Sequence, residues 1–282
     1  MKRLPLPGFD VKQAIELCAS GITIRERAQA LMNALPTIQA AEATYLNLAP
    51  MGQLYTIPTS DGVTPQLTGE LMGTVYKSHF MRAGSPSRGL YDAIRVAPAY
   101  NLCPLCGQRT VASVDHYLPQ SLHPAFNLTP ANLVPACADC NKSKLAKLAK
   151  NAEQQTLHPY FDDLGNERWL TADVLETAPP SIAYRVRPAQ AWTVVLARRV
   201  QYHFEVMGLA ELYAAQAASE LADISFGLLQ VGQTGGAAAV RSHLHGEFAS
   251  RHARDANSWK TALYEGLCAS DWFCNEGNRL VR

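Results

Sequence analysis

Two Cys-x-x-Cys pairs, Cys103/Cys106 and Cys137/Cys140, stand 30 residues apart, with an Asp115-His116 dipeptide between them. The second pair runs directly into Asn141-Lys142-Ser143-Lys144. These residue types offer two separate chemistries. Four thiolates presented on two tight turns can close the tetrahedral site that Zn²⁺ favours, and Pro104 and Gly107 suit the turn of the first knuckle. A closed four-sulfur site keeps no position for water. Zinc there is scaffolding, and its binding supplies folding energy that a short irregular segment lacks. The second chemistry is hydrolytic. A neutral imidazole can deprotonate water at about pH 7, and a hard divalent ion on oxygen ligands beside it stabilises charge on a phosphoryl group.

The elements that must position these groups are legible between the knuckles. Thr110-Val111-Ala112-Ser113-Val114 is rich in β-formers and delivers Asp115-His116 at its end. Tyr117-Leu118-Pro119 leaves that strand, and Ser121 to Ala131 reads as loop, with Pro124, Asn127 and Pro130. Asn132-Leu133-Val134 forms a short second strand, and a lysine-bearing helix starts at the second knuckle. The order is strand, loop, strand, helix: a ββα element whose polar residues converge on one cleft. Lys142 and Lys144, at the start of that helix, can meet a phosphate together with backbone N–H groups.

The combination Asp115-His116-x-x-Pro119, Asn132-Leu133 and Cys137-x-x-Cys140-Asn141-x-x-Lys144 resembles the HNH endonuclease family. The subtype is the one with a four-cysteine zinc site around a ββα-metal fold. Asp115 to Ser121 is also similar to the matching stretch in the HNH domain of RNA-guided CRISPR nucleases. The resemblance covers residues 100–150 and implies a role for each matched position. His116 is then the general base, and Asp115 and Asn141 hold a single Mg²⁺ or Mn²⁺. Asn132 bonds backbone across the loop and orients the histidine. The last family position is Asn141 here rather than histidine, which implies a hard, oxygen-preferring ion. His158-Pro159-Tyr160-Phe161-Asp162 resembles a segment that follows the core of some HNH proteins in phage defence; it can dock the tail onto the module or line the cleft, and docking is the expectation.

The rest of the chain frames this segment. With 282 residues, 48% hydrophobic and 17% charged, it has material for a large core, and its net charge of +1 announces no nucleic acid through its overall field. Any such surface must be local. Residues 101–150 do lean basic, with Arg109, Lys142, Lys144, Lys147 and Lys150 against Asp115 and Asp139. Seven cysteines with four in tight pairs fit a metal site in a reducing compartment. Without a secretory signal or an apolar run of about 20 residues, the expectation is a soluble cytoplasmic protein with no membrane partner.

Residues 1–99 are expected to be mainly helical, with Asp10 capping a helix through Val11, Ala14, Ile15 and Cys18 to Gly21. Further helices are expected over Ile24 to Leu35, Pro36 to Asn47 and Leu71 to Ala83, with loops over Pro50 to Thr68 and Gly84 to Gly89. Residues 100–165 form the zinc-bound module, and residues 166–282 a second helical region with a break at Gly232–Gly236. The fold class is α+β, a mainly helical protein with an embedded ββα-metal module. Cys18 is expected in the core. His123 is expected to be exposed in the loop, and His243 and His245 to point to different helix faces.

The function these expectations favour is a metal-dependent endonuclease acting on DNA. Loose likeness to HNH subunits such as the Septu nuclease suggests anti-phage defence, with a partner such as an ATPase. Two other readings stay open: a catalytically silent zinc-stabilised nucleic-acid-binding module, and an RNase activated by a partner. Binding alone needs none of Asp115, His116 and Asn141. A double-strand break from one such site would need a dimer or two encounters.

Overall fold

The structure is a computed structural model describing residues 2–144, 148–165 and 167–281. It is α+β and mainly helical, and divides into two compact units, Met1–Asp163 and Leu164–Arg282. The N-terminal helical region and the cysteine-bearing segment, separate in the sequence reading, lie together in the first unit.

That unit opens with α1 (Val11–Ser20), α2 (Arg25–Asn33) and α3 (Leu35–Leu48). Asp10 accepts from the Gln13 N–H at 2.9 Å, the cap expected from its type, and Val11, Ala14, Ile15 and Cys18 form the buried stripe. A short hairpin, β1 (Gly62–Thr64) and β2 (Leu67–Thr68), leads into α4 (Gly69–Val75). The α-helix then gives way to a π-helical turn over Tyr76–Phe80. The loop expected over Gly84 to Gly89 ends early, because α5 (Arg88–Val96) starts inside it, with Arg88 and Asp92 paired one turn apart at 2.9 Å.

Next come β3 (Ser113–His116), β4 (Leu133–Ala136) and α6 (Ala138–Lys144). The two strands are antiparallel, with Ser113 opposite Ala136 and His116 opposite Leu133. Two strands alone make no core. Here Val114, Leu128 and Leu133 join the apolar cluster of the helices, beside Ile15, Met72 and Phe80. The segment therefore borrows its core from α1–α5 and does not depend on a metal alone, as its short length had suggested.

The second unit was expected to be helical, yet it begins with a hairpin of β5 (Leu170–Leu175) and β6 (Ser181–Val186), fully in register from Leu170↔Val186 to Leu175↔Ser181. The reason is a period of two: Leu170, Ala172, Ile182 and Tyr184 are buried, while Thr171, Asp173 and Arg185 alternate with them. Helices α7 (Val194–Val206), α8 (Leu209–Arg254), α9 (Trp259–Ala269) and α10 (Asp271–Asn275) complete the unit. The expected break in α8 is a single non-helical residue, Gly236 at φ 65° and ψ −161°. Helix α9 lies so close to β5 that a Cβ at Gly266 would collide with the Ala172 carbonyl. Among the described residues, no helix is long and apolar enough to cross a membrane.

Candidate functional site

The first knuckle is built by backbone. Cys103 N–H donates to the Arg109 carbonyl at 2.8 Å, Gly107 N–H donates to the Cys103 carbonyl at 2.7 Å, and Gly107 takes the left-handed conformation this turn requires, φ 66°. The second knuckle is the entry to α6. Cys103, Cys106, Cys137 and Cys140 are all buried, with their sulfurs within 4.8 Å of one another and Cys106 and Cys137 Sγ 4.0 Å apart. Four sulfurs at about 2.3 Å from a tetrahedral zinc lie about 3.8 Å apart, so the spacing fits. The Arg109 and Cys140 amides point at the Cys106 and Cys137 sulfurs, each at 3.4 Å. Thiol-to-thiol bonding lowers the Cys137 thiol, chiefly through Cys103, while Cys103 itself is pushed up, chiefly by Cys106. Such a set cannot be ionised together without a cation. The four cysteines can hold a zinc ion.

Past the cysteine knuckles, β3 delivers Asp115 and His116 to an open cleft of about 360 Å³, lined also by Tyr76, Pro119, Gln120, Ser121, Asn141 and Lys142. His116 is buried, and its Nε2 lies 3.1 Å from the Asn127 carbonyl. A carbonyl only accepts, so Nε2 carries the hydrogen and Nδ1 keeps a lone pair. Burial lowers the imidazole to about 4, although the Asn127 carbonyl and Asp115 oppose that shift. The ring is therefore a neutral base across ordinary pH.

Asn132 is fully buried and does what its position implies for backbone: Oδ1 accepts from the Leu118 N–H at 2.6 Å, and Nδ2 donates to the Leu118 and Phe126 carbonyls at 3.2 Å each. It thereby fixes both ends of the loop that carries Asn127. Asp115 Oδ1 accepts from the His116 N–H at 2.8 Å, and Oδ2 lies 3.4 Å from Lys144 Nζ. Asn141 Nδ2 donates to Ser113 Oγ at 2.9 Å, which turns its Oδ1 the other way. Ser113 was missed in the sequence, although it shares a strand face with Asp115 two residues on.

Two lysines expected to meet phosphate part company. Lys142 is exposed at the cleft. Lys144 is buried, donates to the His116 carbonyl and to Asp115, and lies 5.1 Å from the Tyr117 ring centre. It ties the helix to the strand and is not available to substrate. Burial pushes its ammonium below the usual lysine range, with Asp115 opposing. Lys147, part of the same basic run, lies outside the described residues.

His123 is not the exposed loop residue expected. It is buried, with Nε2 3.3 Å from the Ile57 carbonyl, because the β1–β2 side of the unit covers the loop. His158 docks the tail: Tyr160 N–H donates to its Nδ1 at 3.2 Å, Tyr45 Oη lies 3.0 Å from Nε2, and its ring lies 4.1 Å from that of Tyr117. Two further residues escaped the sequence reading. Tyr76 packs edge-on to His116 with ring centres 4.4 Å apart, and Tyr91 Oη accepts from the Val114 N–H at 3.4 Å. Nothing in their own segments marks them, because their partners lie on a distant strand.

Comparison with known proteins gives one full-length likeness. The chain is 27% identical to Protein ea31 of Escherichia phage lambda over 295 positions, which span 97% of this chain and 99% of that protein. No family model matches the chain, and no solved structure matches it. The likeness thus extends across both compact units, well beyond the cysteine-bearing segment.

Proposed function

We propose that the protein is a metal-dependent endonuclease of the HNH type, hydrolysing phosphodiester bonds in DNA on a zinc-stabilised ββα module. The observation that carries the reading is the neutral, buried imidazole of His116, tied at Nε2 by the Asn127 carbonyl and set in the same cleft as Asp115 and Asn141. In this reading Nδ1 takes a proton from the attacking water. Asn132 keeps the Asn127 carbonyl in register and so holds the ring. Lys142 attracts the substrate backbone at the rim, and Lys144 holds Asp115 from behind.

Asp115 and Asn141 line the cleft and carry hard oxygen donors of the kind that suits Mg²⁺ or Mn²⁺. When bound, such an ion supplies charge stabilisation at the phosphoryl and leaving oxygens. One carboxylate, already shared with Lys144, holds a cation loosely, so ion and substrate phosphate assist each other in binding. The four-cysteine cluster is read as structural zinc, since four sulfurs complete the shell. The similar protein comes from a phage, so the likeness lends nothing to a role in anti-phage defence. The test is nicking of supercoiled plasmid by the purified protein with Mg²⁺ or Mn²⁺, beside an EDTA control and a matched RNA. Metal-dependent nicking of DNA supports the proposal. Cleavage of RNA alone would move it to a ribonuclease, and cleavage of neither would remove it.

A further inference from the structure

We infer that Tyr76, supplied by the N-terminal helices, is a positioning residue of the cleft: its ring fixes the His116 imidazole in the orientation that aims Nδ1 at substrate. The inference rests on the nuclease reading above, and it extends the site beyond the segment that carries the sequence motifs.

Three observations converge. First, the α-helix α4 changes to a π-helical turn at Tyr76, an irregularity that widens the turn and redirects its side chains. Second, that turn brings the Tyr76 ring edge-on to His116, with centres 4.4 Å apart and planes at 64°, and makes Tyr76 a lining residue of the cleft. Third, the ring is itself immobilised. It stacks on Phe80 at 5.7 Å, and its hydroxyl donates to the Val114 carbonyl at 3.2 Å.

The hydrogen-bond pattern of β3 gives this packing its leverage. Among the described residues the strand has a single partner, β4, and Val114 sits opposite Pro135 at a non-hydrogen-bonded pair, so its N–H and carbonyl face away from β4. Val114 N–H and carbonyl are instead satisfied by Tyr91 Oη and Tyr76 Oη, both from the helical region. Two tyrosines therefore clamp the residue next to Asp115, and one of them also packs on the imidazole. The Asn127 carbonyl fixes only one point of that ring, leaving it free to swing about Nε2. An edge-on aromatic removes that freedom. A small misplacement of a base relative to its water costs about 10²-fold in rate.

The experiment compares Tyr76→Leu and Tyr76→Phe in the full chain, each checked for zinc content, by single-turnover cleavage, by affinity for uncleaved DNA in EDTA, and by the ring-proton shifts of His116. Tyr76→Leu should lower the cleavage rate about 10²-fold with affinity unchanged, and move the His116 shifts. Tyr76→Phe, which keeps the ring and loses only the hydroxyl's bond to the Val114 carbonyl, should lose less rate than Tyr76→Leu and leave the His116 shifts in place. A Tyr76→Leu protein that cleaves normally, or one that loses rate, affinity and zinc together, would overturn the inference, as would unmoved His116 shifts. Failure of the parent to cleave while the shifts move as expected would count against the nuclease reading and not against the packing.

Discussion

Replacing Asn132 by alanine probes the loop that holds the histidine, and its cost can be worked from the contacts. The amide is fully buried and makes three hydrogen bonds to backbone. Its loss strands the Leu118 N–H and carbonyl, whereas the Phe126 carbonyl still accepts from Thr129 N–H at 3.2 Å. Two stranded groups at about 1–1.5 kcal/mol each, with a small cavity, give a destabilisation of about 3–4 kcal/mol. Asn132→Asp should be at least as harmful, because a carboxylate oxygen would face two carbonyl oxygens in a buried site. The cleavage rate should fall in both variants even where the protein stays folded, since the loop also carries the Asn127 carbonyl that fixes His116. Denaturant unfolding with parallel single-turnover kinetics reads both effects. A stability loss below about 1 kcal/mol for Asn132→Ala would refute the argument that these bonds are buried and unreplaced.

The other perturbations separate parts of the site. His116 falls to about 4 by burial, below the usual imidazole value of about 6.5, so its contribution to stability is present above about pH 6.5 and is lost as pH falls toward 4. The cleavage rate should show no acid limb centred at about pH 6.5, and a limb there would mean the ring is not desolvated. Cys137→Ser should abolish stoichiometric zinc in a metal assay and lower the unfolding midpoint, while far-UV dichroism keeps most of its helical signal because the helices have their own core. Lys142→Gln should raise KM with little change in stability, whereas Lys144→Met should destabilise by about 2–3 kcal/mol by leaving Asp115 partly buried without its cation. Equal behaviour of the two lysine variants would contradict their different placement.

What the sequence conveyed, and what it did not, follows the range of the interactions. The knuckle turns, the Asp10 cap and the order of β3, loop, β4 and α6 depend on neighbours a few residues away, and they were legible from residue type and spacing. Asn132 was legible too, since its partners Leu118 and Phe126 lie in the loop it closes. Lys144 was misread because exposure was assumed from charge. Its burial is decided by Asp115 and the His116 carbonyl on a strand that the sequence places 28 residues or more away. Tyr76 and Tyr91 were invisible for the same reason: each looks like an ordinary core aromatic until β3 is seen to have, among the described residues, no second partner strand. The β5–β6 hairpin was available from its alternation, although residues 166–282 were expected to be helical.

The most direct test of the central claim is single-turnover cleavage by His116→Ala, measured with zinc content and affinity for uncleaved DNA. One zinc per chain, unchanged affinity and no metal-dependent cleavage above background are expected. Cleavage at the parental rate by a folded, zinc-loaded His116→Ala protein would contradict that claim, because no other neutral base is held in that cleft by the described residues.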